Sequence, residues 1–522
     1  MDTKALRRKI LDLAIRGQLV PQDPADEPAS VLLDRIRAEK QKMVKEGKLK
    51  AKDIKNDSII FVGEDSLHYE KFADGSVKCI EDEIPFELPE GWAWARLGTV
   101  FSTVTGDTPS TKDASLYGTD YPFYKPTDLD AGYNVCGAED SVSEKGYLSG
   151  RPLPKFSVLV TCIGATIGKT GYISNAGICN QQINAVLPNS EVLSDYTYFC
   201  MCSQYEQEQI WTNSSATTLP ILNKSKFDNL LFPIPPHEQQ SRIVERIKGL
   251  FFFVEKVQSN QESLKTTVGI AKSKILDLAI RGQLVPQDPN DEPASVLLER
   301  IRAEKEELIR QGKLKRDKKE SVIFRGDDNS YYLRTGKLVE SLEDWRFDAL
   351  PETWELCCLG DVCDYGDCIN VDTADIADDA WILDLEDIEK DTGAVIKKVT
   401  KAQRSSASTK HRFYSGQVLY SKLRPYLNKV VLSDADGYCT SEIIPLKFDR
   451  CVLPEYARYY LMSPTFLAYA DRCSYGVKMP RMGTADGKKA IIPLPPLVEQ
   501  KRIAKTIELL FSQLTRISEA LV

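Results

Sequence analysis

Fifteen residues, KILDLAIRGQLVPQD, begin at Lys9 and begin again at Lys274. Residues 9–50 align with 274–315 without a gap at an offset of 265, and 34 of the 42 positions are identical. The correspondence then continues: SIIFVGED at Ser58 pairs with SVIFRGDD at Ser321, LPEGW at Leu88 with LPETW at Leu350, and PPHEQQSRI at Pro235 with PPLVEQKRI at Pro495, the offset drifting only to 260. A chain that repeats its elements in order at a long, near-constant period must fold as two related units. Residues 90–230 and 352–490 share almost nothing, so a constant frame carries two dissimilar inserts.

The frame is helical. From Ile243 the apolar positions run Ile243, Ile247, Leu250, Val254, Val257, Leu264, Val268, Ala271, Ile275 and Leu278, in steps of four and three that only Gln261 interrupts. This is a coiled-coil seam, and a continuous helix from the PIPP breaker at Pro233 to Gly282 would be about 65 to 70 Å long at ~1.5 Å per residue. A second helix should follow, with Asp291 as N-cap, Pro293 in its first turn and Gly312 beyond its end; Asp26, Pro28 and Gly47 are the twins. The C-terminus repeats the seam as Ile503, Ile507, Leu510, Leu514, Ile517 and Leu521. Its continuation stands at the other terminus, as Leu6, Ile10 and Leu13. On this reading the repeat is circularly permuted, the two ends meet as one nicked helix, and the two long helices pair antiparallel about a pseudo-twofold axis.

Five segments follow: a helical region over 1–50, a first insert with its lead-in over 51–232, a central coiled-coil region over 233–315, a second insert with its lead-in over 316–491, and a closing helix over 492–522. With 42% hydrophobic and 28% charged residues the chain can bury several cores. No run approaches eighteen consecutive apolar residues and MDTKALRRKI is charged, so a soluble cytoplasmic protein without a membrane partner is expected. The thirteen cysteines include a close group at Cys357, Cys358, Cys363 and Cys368, but no CxxC pair or nearby histidine accompanies them. Reduced thiols are expected, not disulfides or a metal site.

The net charge of −8 argues against a generally basic nucleic-acid binder, but local charge does not. From Thr392 to Ser433 stand Lys397, Lys398, Lys401, Arg404, Lys410, Arg412, Lys422, Arg424 and Lys429, without one acid and with Tyr414, Tyr420 and Tyr426 interleaved. Such a run suits release of counterions from a phosphate backbone and contact with base edges. The first insert has a weaker bias: 145–190 and 209–227 contain no Asp or Glu. Candidate DNA contacts are Lys125, Lys169, Gln181, Ser215, Thr217 and Lys224 in the first insert. In the second they are Lys410, Arg412, Lys422, Arg424, Tyr426, Lys429, Lys478 and Arg481. The acids crowding Asp361 to Asp391 read mostly as surface.

SVLVTCIGATIGKTG resembles a strand entering a phosphate-binding loop, but only Ala165, Thr166 and Ile167 separate the glycines where a P-loop needs four residues. A β-hairpin with a basic tip is expected there and at QVLYSKLRPYLNKVVL. No dinucleotide or S-adenosylmethionine loop, base-flipping motif, HExxH or GxSxG occurs, so no catalysis is expected of this chain.

ILDLAIRGQLVPQDPNDEPASVLLERI, PPLVEQKRI and GQVLYSKLRPYLNKVV together resemble the specificity subunits of type I restriction-modification systems, over essentially the full length. The resemblance implies an α+β fold, with two pseudo-twofold-related, mixed α/β target recognition domains separated by two long antiparallel coiled-coil helices. It also implies a bipartite double-stranded DNA target read one half per domain, two docked methyltransferase subunits, and translocase-endonuclease subunits in the full complex. S-adenosylmethionine, ATP and magnesium would belong to those partners and no cofactor to this chain. Many members carry the ILDLAIRGQL block only centrally, whereas here it recurs at Ile10. The competing reading is a coiled-coil scaffold that pairs two protein partners without reading DNA.

Overall fold

The computed structural model describes residues 2–47, 49–51, 54–215, 219–312, 321–328, 330–345, 347, 350–404 and 408–520. Two compact units divide the chain, Met1–Asn260 and Gln261–Val522. The boundary falls inside a 44-residue helix, His237–Ile280, the element whose seam the four-three spacing predicts.

In the first unit, helix Thr3–Ile15 packs antiparallel against the start of that long helix. Ile10, Leu11, Ile243, Ile247 and Val254 share one core, and the contacts run in opposite directions: Arg7 pairs with Glu255 at 3.1 Å and lies 4.7 Å from the Phe251 ring centroid, while Gln22 meets Gln239 at 2.8 Å. The second unit repeats this. Lys272 stands 5.3 Å over Phe511, and Gln287 bonds Glu499 at 2.7 Å. Leu250, Val257, Leu510 and Leu514 are half-buried, but Ile517 is 48% exposed and does not close the seam. Leu521, Val522 and Met1, where the two ends were expected to meet, lie outside the described residues.

The N-cap expectation is corrected. Helices Ala29–Lys45 and Ala294–Arg310 start on Pro28 and Pro293 without a side-chain cap. Asp26 and Asp291, with side chains only 7% exposed, pair instead with Arg242 and Arg502 of the long helices. A carboxylate that bonds a guanidinium locks two helices together, which a cap cannot do. Gly47 and Gly312 do follow the helix ends, in the left-handed region at φ 70° and 68°.

Each unit next forms a three-stranded antiparallel sheet, Ser58–Val62, His68–Phe72 and Val77–Cys79 in the first and Ser321–Arg325, Tyr331–Thr335 and Leu338–Ser341 in the second. These equivalent sheets are anchored by different chemistry. In the first, buried Glu70 binds buried Arg96 at 2.7 Å and accepts from Ser58 at 2.5 Å. Register places Leu333 and Cys358 at the same two positions of the second, both buried.

Each insert is held at its base by a two-stranded antiparallel ribbon, Ala93–Arg96 with Leu231–Ile234 and Glu355–Cys358 with Ile491–Leu494. Above the ribbons stand small sheets, antiparallel or mixed. The first insert has strand order Thr103–Thr105, Ile183–Val186, Val158–Thr161, Thr170–Tyr172, beside a second sheet of three strands. The second insert has a five-stranded and a three-stranded sheet. Despite their unrelated sequences the inserts join the frame alike. Tyr196 and Tyr456 donate to the carbonyls of Pro233 and Pro493, and buried Gln240 and Gln500 accept from the amides of Leu193 and Leu453, each at 2.8 Å. No described helix is long and apolar enough to cross a membrane.

Candidate nucleic-acid interface

Strands Val418–Ser421 and Val430–Leu432 form the expected antiparallel hairpin in the second unit. Its tip is pinned from outside. The amide of Lys422 donates to the Glu442 carbonyl at 3.0 Å, Met482 donates to the Lys422 carbonyl at 3.0 Å, and Arg424 donates to the Pro480 carbonyl at 2.7 Å. This brings Lys422, Arg424, Lys478 and Arg481 to one place, although 478–482 is far away in sequence.

The same bonds recur in the first unit at an offset of 260. Hairpin Val158–Thr161 with Thr170–Tyr172 is pinned by Cys162 to Gln182, Leu222 to Cys162 and Gly164 to Pro220, at 2.7, 2.8 and 3.0 Å. The equivalence explains the P-loop lookalike. Its glycines, Gly164 and Gly168, are the left-handed positions of the tip at φ 103° and 86°, and their counterparts Arg424 and Asn428 also have positive φ, 50° and 48°. The glycines serve backbone geometry, not a nucleotide.

The two tips differ in charge. Lys422 and exposed Lys478 have no ion-pair partner among the described residues, and Tyr426 is half exposed. Arg424 donates from Nη2 to the Lys478 carbonyl at 3.4 Å, while its buried Nε has no hydrogen-bond partner among the described residues. Two neighbours are engaged within the domain. Arg481 is gripped by both carboxylate oxygens of Glu442 at about 3 Å, which raises its pKa. Lys429 donates to the Leu385 carbonyl at 2.6 Å, and burial lowers its pKa. Lys410, only 2% exposed, reaches Ser408, whereas Arg412 is exposed and lies over Tyr414.

The rest of the acid-free run is not a bare positive surface. Lys398 is paired with Asp434 at 2.8 Å and Lys401 with Asp378 at 3.3 Å. Arg404 meets Asp384 and buried Asp387; burial opposes its charge, but these bonds outweigh it and raise its pKa. Most of the acids between Asp361 and Asp391 are on the surface, as expected, and Asp387 is the buried exception.

The candidates of the first unit are paired or scattered. Lys125 pairs with Asp140, Lys169 with Asp130 at 2.7 Å and Lys224 with Asp228. Gln181 accepts from Thr108 at 2.6 Å and Ser215 faces solvent beside Ile221, while Thr217 lies outside the described residues. Position 422 is Cys162 here and position 424 is Gly164, so this tip is neutral where its twin is basic.

A duplicated helical frame thus holds two dissimilar inserts of mixed helix and sheet, one of them with a concentrated cationic tip. The chain belongs to the type I restriction modification DNA specificity domain family, whose model matches residues 89–264 and 351–521. It is 29% identical over 408 residues to the type I restriction enzyme EcoEI specificity subunit of Escherichia coli, an alignment that covers 69% of this chain and 61% of that subunit. It is also 28% identical over 412 residues to the EcoAI specificity subunit of Escherichia coli, covering 69% and 62%. The alignments thus span under two thirds of these relatives' own length. A chain from a solved structure of the type I R-M system, on its assembly and conformational transition, superposes with a TM-score of 0.53 at 16% identity, covering 84% of this chain and 94% of that one.

Proposed function

We propose that this protein is the DNA-recognition subunit of a type I restriction-modification complex and performs no chemistry itself. The insert of each unit, a target recognition domain, reads one half of a bipartite double-stranded site. The helical frame sets the spacer and docks two methyltransferase subunits. Those partners bring S-adenosylmethionine, and translocase-endonuclease subunits bring ATP and magnesium. The observation that carries the reading is the cationic tip. In a chain of net charge −8, Lys422 and Arg424 at the tip of a pinned hairpin, with Lys478 on the segment that pins it, are gathered without a neutralising acid among the described residues, as a phosphate-lined groove requires.

Replacing residues 352–490 with the insert of a relative, and sequencing the DNA methylated by the assembled complex, tests this. One half of the recognised sequence should change and the other should not. A change in both halves, or methylation without sequence preference, would overturn the two-reader assignment.

A further inference from the structure

We infer that Arg424 is the specificity-determining residue of the second recognition domain and takes the major-groove edge of a guanine in its half-site. The inference rests on the DNA-reading function proposed above. Its first support is the backbone. The twin position, Gly164, has the same pinning bond to a proline carbonyl and a positive φ of 103°, a backbone conformation that favours glycine, although a Cβ there would meet nothing nearer than 3.9 Å. The second unit instead holds an arginine there, at φ 50°. A side chain kept in a conformation its backbone resists marks a functional constraint.

The second support is hydrogen bonding. A guanidinium has five donors in a planar fork. Arg424 uses one, at 3.4 Å, on the Lys478 carbonyl, and its buried Nε is unpartnered among the described residues. No carboxylate among the described residues neutralises it, whereas Arg481 next to it is fully engaged by Glu442. The buried Nε cannot reach a ligand, so the donors left for one are those of the terminal nitrogens, and two of them in one plane match two adjacent acceptors, the O6 and N7 of guanine. Lys422 and Lys478, flexible point charges on either side, suit the flanking phosphates. The neutral tip of the first unit offers no such fork, so its half-site is read by other residues.

The test uses the full chain assembled with its methyltransferase subunits. Selection from a random duplex library defines both half-sites; failure to select any bipartite site would overturn the functional proposal and this inference together. Given a site, Arg424→Gly should melt no lower than the parent, because Gly164 shows the tip accommodates glycine. It should bind the selected duplex roughly 10- to 100-fold more weakly and lose discrimination at one guanine of one half-site only. Substituting 7-deazaguanine there should weaken the parent and leave the variant unchanged. Arg424→Lys should restore charge but not discrimination. Unchanged selectivity in Arg424→Gly, or a uniform loss over all sequences that Arg424→Lys rescues, would show that Arg424 does not read a base.

Discussion

The charge at the second tip sets a salt dependence that can be worked out in advance. Each cation that neutralises a DNA phosphate contributes about 0.9 to the slope of log affinity against log salt. Lys422 and Lys478 have no ion-pair partner among the described residues, so replacing both with alanine should reduce the slope by about 1.8. Extrapolated from 1 M salt, the loss is about 20-fold at 200 mM and about 200-fold at 50 mM, so the variant and parent curves converge as salt rises. Lys398 is the control. Paired with both oxygens of Asp434 at 2.8 Å, its charge is already neutralised, and Lys398→Ala should leave the slope unchanged. The assay is fluorescence anisotropy of a labelled cognate duplex with the assembled complex at four or five salt concentrations. A double variant whose line runs parallel to the parent's would refute the reasoning, because those lysines would then touch no phosphate.

Three further outcomes follow from differences between the repeats. Arg96→Ala strands the buried Glu70 carboxylate and should cost about 3 to 5 kcal/mol in chemical denaturation; combining Arg96→Cys with Glu70→Leu, the pair present in the second unit, should recover most of it. Glu499 is buried and its pKa is raised by burial, although Gln287 and Trp354 donate to it. The folded second unit therefore binds a proton more tightly than the unfolded chain, and stability falls as pH rises above the ordinary carboxylate range. Glu499→Gln, which imports Gln239 of the first unit, should flatten that fall and leave the unit as stable or more stable at neutral pH, by thermal melting across pH. Gly168→Ala should destabilise the first unit by about 2 kcal/mol, more than Gly164→Ala, because left-handed strain is joined by a Cβ only 2.2 Å from Oε1 of Gln207.

The frame was legible in the sequence because helices write themselves locally. Apolar steps of four and three from Ile243 predicted the long helix, and the repeat offsets, 260 at Pro235 and 265 at Lys9, located its counterparts. Asp26 and Asp291 misled because a carboxylate ahead of a helix suits a cap by sequence alone, and their arginine partners stand more than two hundred residues away. The acid-free run misled in the same way. Asp378, Asp384, Asp387 and Asp434 lie outside it and reach its cations only through folding. The kinship of the two inserts was hardest to read. It survives as scattered pairs such as Tyr196 with Tyr456 and Ser203 with Ser463, and at the tip the hairpins correspond as expected but the basic charge expected of both does not, since Cys162 and Gly164 stand where Lys422 and Arg424 do. The hairpins were legible because β-branched and aromatic runs flank turn residues in both halves.

The ribbons at the base of each insert have a consequence for how such a protein changes over time. Chain entry and exit, Arg96 with Leu231 and Cys358 with Ile491, are cross-strand neighbours, so the helices beneath meet the same two strand ends whatever lies between them. Genetic exchange with crossovers in these ribbons would deliver a complete insert to the same two strand ends, and the contacts it must remake with the helices, such as Gln240 with Leu193 and Gln500 with Leu453, are ones that both inserts already share. If the inserts read DNA as proposed, a new specificity would be acquired in one recombination event, while accumulation of point substitutions at a tip such as 422–429 would have to pass through weakly binding intermediates.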